Sequence, residues 1–361
     1  MIDPRKFIQI LKKNKINFFS GTPDSVLSNF LEVLKNEKNF YVAPHEGIAV
    51  SAGIGYNFAT AKVPCVFMQN SGLGNILNPI SSIAHKKIFK IPMIIIIGMR
   101  GYKGDEPQHL IQIKSTPKIL KESDIEYFYL DTKTDLNKQI NKAVRMTFNN
   151  KMPIAILIKK NSFDKIIKTK KIKLKSNIKK YSSYNDYVNT ISNYVKKEDY
   201  VLSATGFLHR TVFYNREKFK TKNFFYNIGG MGHLSNIAYI TALIKKKSNI
   251  FCLEGDGSFL MHLGSQLLVS KNKLRNFKYF LFNNNSHYST GGQIQSNINN
   301  IDLKIFAKSI KLNYFKFDDS SKLNNFLQKN KKGNLFIELK CNNSHITNLP
   351  RPKLDQISFG K

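Results

Sequence analysis

A chain of 361 residues has room for two domains of about 170 to 180 residues each. Its Lys and Arg total 57 against 24 Asp and Glu, a formal charge of +33; the lysines run through every segment beside abundant Asn and Ile, so they read as a solvated background able to steer a small polyanion, and not as a nucleic-acid footprint. Cys65, Cys252 and Cys341, odd in number and without Cys-x-x-Cys spacing, argue against a disulfide framework or a zinc site, and the longest apolar run, 91–98, is too short to span a bilayer while the first residues lack a signal-type apolar region, so a soluble cytoplasmic protein is expected.

Asp3-Pro4 is a capping residue followed by a first-turn proline, and Phe7, Ile8, Ile10 and Leu11 give the next helix an apolar face. Strands at 16–20, 40–42, 64–69, 92–99, 126–130 and 153–159 then alternate with helices at 23–35, 46–61 and 136–148. The strand at 92–99 is apolar throughout, as in a parallel sheet covered on both faces, and it empties into Arg100-Gly101 and a polar loop over 103–109. Residues 161–180 are crowded with lysine and have no sustained period, which predicts a linker with one short strand at most. Beyond it, helices at 184–195, 207–214, 234–245, 258–271, 303–311 and 322–330 alternate with strands at 200–204, 224–228, 250–254, 279–282, 314–317 and 335–339. The pattern predicts an α/β fold of two domains, each a mostly parallel sheet flanked by helices, with boundaries at 1–165 and 184–361 and a basic linker over 166–183.

Gly255-Asp256-Gly257 follows the strand at 250–254 and sets a carboxylate at a strand's carboxyl end, where α/β sheets bind ligands. Ser258 stands where it can cap the following helix. The strand at 279–282 ends in Asn283-Asn284-Asn285, so an amide reaches the neighbouring strand end. Carboxylate and amide oxygens, together with backbone carbonyls and phosphate oxygens, form the hard donor set that suits Mg²⁺ bound through a substrate or cofactor. A metal-bridged diphosphate is one reading of this pattern, a solvated Gly-Asp-Gly turn the other. Glu46, in Pro44-His45-Glu46-Gly47, opens a helix whose N-terminus stabilises a carboxylate, either as a surface acid or as a functional one. Gly229-Gly230-Met231-Gly232 permits close backbone approach, with Met231 a core filler on its residue type alone. Thr205-Gly206, at another strand end, is either a diphosphate donor or a helix cap.

In Gly255-Asp256-Gly257 and the paired asparagines, 25 residues apart over 258–282, the sequence resembles the thiamine diphosphate-dependent enzymes. The likeness continues through Gly21-Thr22-Pro23-Asp24-Ser25, Met68-Gln69-Asn70-Ser71-Gly72-Leu73-Gly74-Asn75, Asn78-Pro79, Gly98-Met99-Arg100-Gly101, Asp105-Glu106-Pro107-Gln108-His109 and Ser289-Thr290-Gly291-Gly292-Gln293. Over nearly the full length it is similar to the phosphonopyruvate and sulfopyruvate decarboxylase family. The resemblance implies thiamine diphosphate and Mg²⁺ as cofactors, with Asp256, the Asn284 side chain and the Ser286 carbonyl on the metal. It implies a hydrogen bond from Glu46 to N1′ of the aminopyrimidine, the Gly229 carbonyl on the 4′-amino group, Met231 as a wedge beneath the cofactor, and Gly255, Gly257, Ser258, Thr205 and Gly206 among the cofactor-binding residues.

The reaction it implies is decarboxylation of 3-phosphonopyruvate to phosphonoacetaldehyde and CO₂ in phosphonate biosynthesis, with sulfopyruvate as the alternative substrate. Arg100 is the first candidate for the anionic tail. His109 and His287 are candidates for proton transfer or anion binding. Asp24, Ser25, Asn70 and Asp105 are expected in loops lining the cleft. The family also implies at least a homodimer with its active site at the subunit interface. Two positions depart from the family pattern: Asn285 stands where glycine is expected, and Phe207-Leu208-His209 replaces a more polar run. A basic nucleic-acid-binding protein on a retired enzyme scaffold is the competing reading, and the presence of Glu46, Asp256 and Asn284 together argues against it.

Overall fold

The computed structural model describes residues 1–166, 181–271, 274–290, 296–330, 333–344 and 346–352. Its chain divides into two compact units near residue 172. The first comprises α1 (Pro4–Lys13), β1 (Phe19–Gly21), α2 (Ser28–Leu34), β2 (Phe40–Val42), α3 (Glu46–Thr60), β3 (Cys65–Gln69), α4 (Leu73–Pro79), β4 (Met93–Gly98), α5 (Pro107–Glu122), β5 (Glu126–Tyr129), α6 (Leu136–Asn150) and β6 (Pro153–Ile158). The second comprises α7 (Tyr184–Ser192), β7 (Tyr200–Ser203), α8 (Phe207–Tyr214), β8 (Asn223–Tyr226), α9 (Leu234–Ile244), β9 (Ile250–Gly255), α10 (Asp256–Met261), α11 (Gln266–Val269), β10 (Phe277–Asn283), α12 (Leu303–Ser309), β11 (Asn313–Phe317), α13 (Ser320–Lys329) and β12 (Leu335–Lys340). Each unit holds one six-stranded sheet, ordered β2-β1-β3-β4-β6-β5 and β11-β12-β10-β9-β7-β8, and the strand pairings are parallel.

Alternation along the central strands builds a core on each face. In β4, Ile94 and Ile96 join Phe7, Leu31 and Ile140 from α1, α2 and α6, whereas Met93, Ile95 and Ile97 join Val50, Ile76 and Leu120 from α3, α4 and α5. The second sheet repeats the arrangement. Phe251 and Phe280 face α7, α8 and α13, and Cys252 and Tyr279 face α9 and α12. Helix starts follow side-chain chemistry: Asp3 accepts from the Arg5 N–H at 2.8 Å, Asp135 from Asn137 at 2.8 Å, and Ser183 and Asp186 close a capping box at α7.

Beyond shifts of a few residues at element ends, such as β1 starting at Phe19 and not Ile16, four elements differ from the sequence reading. The expected helix 23–35 begins only at Ser28, because the Asp24 carboxylate accepts from the Val26 and Leu27 N–H groups at 3.0 and 3.2 Å and turns the chain first. The polar loop over 103–109 is shorter than expected, since α5 starts at Pro107 and carries Pro117 inside it. α4 lies in a glycine-bearing stretch where no helix was expected. The single helix over 258–271 is instead α10, a 3₁₀ turn at Leu263–Ser265 and α11, interrupted where His262 leaves helical geometry at φ −129° and ψ 54°. α10 starts at Asp256 after Gly255, so Ser258 is not its cap.

Of the linker expected at 166–183, residues 167–180 lie outside the described residues, as do Gly291, Gly292 and Gln293. Among the described residues no helix is long and apolar enough to cross a membrane. β1 and β3 approach so closely that a Cβ on Gly21 would stand 2.0 Å from the Phe67 carbonyl oxygen. Gly21→Ala is therefore expected to destabilise the protein by at least about 2 kcal/mol, read as a lower urea midpoint with unchanged m-value.

Candidate active site

A parallel sheet presents its loops along one edge, and a crevice opens where successive connections leave in opposite directions. That point lies between β1 and β3 in the first unit and between β7 and β9 in the second. Most of the expected site residues sit at these strand ends or beside them.

In the first unit Glu46 opens α3, where His45 Nδ1 accepts from the Gly47 N–H at 3.0 Å. Glu46 is buried, 5% exposed. Thr22, just after β1, donates its hydroxyl to Oε1 at 2.9 Å, and Asn75 in α4 donates its amide to Oε2 at 2.7 Å. Room for the carboxylate comes from Gly72, where a Cβ would fall 2.4 Å from Glu46 Cδ. Both donors are neutral, and no ion pair to Glu46 occurs among the described residues.

Asp24, Ser25, Asn70, Arg100 and Asp105 come together as a second cluster. Arg100 donates through Nη1 to Ser25 Oγ at 2.6 Å, and its Nη2 stands 2.9 Å from Asp105 Oδ1. Its backbone exchanges two 3.0 Å hydrogen bonds with the Asn70 amide. Asp105 also accepts from the Gly101 and Tyr102 N–H groups at 2.9 and 3.1 Å. Against burial, which acts to raise it, these N–H groups and the Arg100 guanidinium hold the Asp105 carboxyl below the usual range.

Arg100 Nε is buried with no partner among the described residues. Asp24 is sealed instead of lining an open loop. Beyond its two backbone contacts it accepts from Gln69 Nε2 at 2.7 Å, and a Cβ on Gly98 would stand 2.0 Å from its Oδ2. Burial raises its carboxyl to about 6, partly opposed by Gln69 and Arg100. His109 lies in the first turn of α5, buried, with Nδ1 at 2.8 Å from Gln112 Oε1.

In the second unit Gly206 takes φ +97° and precedes α8 as its cap residue, while Thr205 donates its hydroxyl to the Ile228 carbonyl at 3.2 Å. The loop from Gly229 to Gly232 turns through positive φ at Gly230 and Gly232 and is tied by the Gly232 N–H donating to Ser258 Oγ at 2.9 Å. Met231 and His287 meet over Gly257: a Cβ there would lie 3.5 Å from Met231 Cε and 3.2 Å from the His287 ring. Burial pushes His287 down to about 4, so its imidazole is neutral at pH 7.

Asp256 is 3% exposed at the start of α10. Its oxygens accept from the Gly257 N–H and the Ser296 hydroxyl, both at 2.8 Å, and the N–H groups of Ser286 and Asn285 also reach it. Burial raises its carboxyl to about 6 against those hydrogen bonds. Asn284 Oδ1 accepts from the Ser286 N–H at 3.2 Å, and among the described residues its second lone pair is open. Asn285, standing where the family pattern has glycine, takes φ +49°, a left-handed conformation that asparagine tolerates better than most residues. Asn283 turns away and donates to Glu338 Oε1 at 2.7 Å.

The turn after β9 thus brings the Asp256 carboxylate against the turn after β10, which carries Asn284 and Ser286, and carboxylate, amide and carbonyl oxygens are the donor types that suit a hard divalent cation. Among the described residues no group of three or more His, Cys, Asp or Glu is placed to hold a metal, so a cation here depends on amide and carbonyl oxygens beside the one acid. Sequence reasoning passed over Thr22, Gly72 and Asn75, although all three lie in the motifs quoted above. Glu254 and Glu338 had a plainer signal, each an acid ending or interrupting an apolar strand.

The family described as thiamine pyrophosphate enzyme, N-terminal TPP binding domain, matches residues 5–118, and the corresponding C-terminal TPP binding domain matches residues 203–329. The phosphonopyruvate decarboxylase of Streptomyces viridochromogenes is 26% identical over 292 residues, 76% of this chain and 71% of that protein. The sulfopyruvate decarboxylase of Methanosarcina acetivorans is 24% identical over 327 residues, 84% of this chain and 81% of that protein. The sulfopyruvate decarboxylase subunit alpha of Methanococcus maripaludis is 32% identical over 148 residues, 40% of this chain and 86% of the subunit.

The Asp24 carboxyl, raised from 3.8 to about 6, favours folding fully below pH 4 and loses that contribution as pH rises through 6. Relative to Asp24→Asn, the wild-type unfolding free energy should fall by about 2 kcal/mol between pH 4 and 7. Urea titrations of the two proteins across that range check this, and parallel curves would contradict it.

Proposed function

We propose, from the premise that the chain belongs to the thiamine diphosphate-dependent decarboxylases of the phosphonopyruvate and sulfopyruvate type, that it is a Mg²⁺-dependent lyase converting 3-phosphonopyruvate to phosphonoacetaldehyde and CO₂. The observation that carries this reading is Glu46, a buried carboxylate at a strand-to-helix junction with its oxygens held by Thr22 and Asn75. The first unit is read as the pyrimidine-binding domain, the second as the diphosphate-binding domain.

When bound, thiamine diphosphate supplies a carbon nucleophile and a sink for the electron pair released with CO₂. Glu46 would hold N1′ of its aminopyrimidine and the Gly229 carbonyl its 4′-amino group, with Met231 beneath. Asp256, the Asn284 side chain and the Ser286 carbonyl would hold Mg²⁺, which also offsets the charge buried at Asp256. His287, neutral at pH 7, is suited to donating a hydrogen bond or accepting a proton and not to serving as a fixed cation. Arg100 is the cation proposed for the substrate's anionic end, already oriented by Ser25 and Asp105.

The same ion pair favours a second reading. Asp105 offsets part of the Arg100 charge, which suits a monoanionic sulfonate better than a dianionic phosphonate, and sulfopyruvate is the alternative substrate. An oligomer, at least a homodimer, belongs to the proposal too. α3 exposes Ile48 and Phe58, the latter to 89%, and α9 exposes Ile237, Ile240 and Ile244 at helical spacing, apolar area of the kind that subunit contacts cover. A reducing, cytoplasmic location fits three buried free cysteines.

Glu46→Gln should keep cofactor affinity and lose turnover by about a hundredfold or more, the scale of an acid–base contribution. Asp256→Ala should weaken Mg²⁺ and cofactor binding together in calorimetry. Full activity in Glu46→Gln would refute the assigned role. Substrate choice is tested by kcat/KM for phosphonopyruvate and sulfopyruvate with the same preparation: a higher value for phosphonopyruvate is expected, and a strong preference for sulfopyruvate replaces the first reading with the second.

A further inference from the structure

Two pieces of the second unit meet in its interior. One is the glycine loop 229–232; the other is α10, whose first residue is Asp256. Ser258 joins them, accepting from the Gly232 N–H at 2.9 Å and donating to Glu254 Oε1 at 2.6 Å. Tyr279 on β10 donates to the second oxygen, Oε2, at 2.5 Å. Glu254, Ser258 and Tyr279 are all buried. A second contact closes the same joint: His262, just after α10, packs against His233 with the rings tilted by 33° and their centroids 4.6 Å apart, and a Cβ on Gly232 would fall 2.4 Å from His262 Cδ2.

The geometry is that of a brace. A hydroxyl can rotate, and the lone pairs of Ser258 stay aimed at the Gly232 N–H when its proton is committed elsewhere. Glu254 commits it, and Tyr279 fixes the carboxylate that does so. We propose that Glu254 is a positioning residue which, through Ser258, sets the glycine loop bearing Met231 against the turn bearing Asp256, so that both parts of the cofactor half-site are held in register before anything binds. This rests on the reading of those two segments as that half-site.

The expected signature is a loss of preorganisation. Glu254→Ala and Ser258→Ala should each bind thiamine diphosphate with Mg²⁺ about tenfold more weakly in calorimetry, the size of one lost buried hydrogen bond. Without cofactor, amide exchange over residues 229–233 should be faster in both than in the wild type. Glu254→Gln keeps an acceptor for Ser258 and a group to meet Tyr279, and should restore both readings. Thr147→Val, which removes a buried hydroxyl bridging Met93 and Met152 in the other unit, should lower Tm without changing cofactor affinity.

Should Glu254→Ala fail to fold, Tyr279→Phe, which removes one donor and leaves the carboxylate, should show a weaker form of the same exchange and affinity changes. If the wild type binds cofactor and the folded Glu254 and Ser258 variants bind it equally well with unchanged exchange, the brace is refuted alone. Equal loss of affinity in Thr147→Val would refute it as well, by reducing the effect to general destabilisation. A wild type that does not bind the cofactor overturns the underlying reading, and the brace with it.

Discussion

Carboxylates buried without a neighbouring cation are the constraint around which this molecule is arranged. Removing an ionised acid from water is severely unfavourable unless its oxygens are met by donors. At Glu46 those donors are a hydroxyl and an amide, at Asp256 a hydroxyl and backbone N–H groups, and at Glu254 two hydroxyls. Neutral donors satisfy geometry and leave the negative charge uncompensated. Acids held this way at the carboxyl ends of parallel strands are set to receive positive charge from elsewhere, a divalent ion at Asp256 and a protonated ring nitrogen at Glu46 in the reading given above.

Space for these acids is made by residues that lack a side chain. Gly72 lies against Glu46 and Gly98 against Asp24, and at each a Cβ would overlap the carboxylate. The glycines therefore act at a distance in sequence, opening room on one strand end for an acid delivered by another. Arg100 shows the opposite device. Its charge is met by Asp105, its backbone is clasped by Asn70, and Ser25 fixes its tip, so a long flexible side chain is ordered in advance.

Much of the architecture is legible in the sequence because strand and helix alternate with clear punctuation. β2 and α8 fall on the expected residues, since each is bounded by turn-forming or glycine residues. The helices that escape notice, α4 and α5, carry glycine or an internal proline, which suppress a helical signal that tertiary packing then restores. The over-long helix at 258–271 has the opposite cause: its residues suit a helix, but His262 leaves helical geometry where it packs against Gly232 and His233.

Within the site, Glu46, Asp256 and Asn284 are legible because each stands where an apolar run meets a turn. Their supports are not, since Thr22 lies 24 residues from Glu46 and Ser296 lies 40 from Asp256. No local pattern announces a partner brought in by the sheet. Asn285 can stand where glycine is expected because asparagine tolerates the left-handed backbone that this turn needs.

The strand order of the second sheet, read from its other end, is β8-β7-β9-β10-β12-β11, the order of the first with six added to every number. Identical wiring means that one kind of scaffold serves twice in a single chain. One scaffold thereby carries, at its strand ends, Glu46 held by a hydroxyl and an amide in the first unit and Asp256 held by a hydroxyl and an N–H group in the second, with the same wiring beneath both.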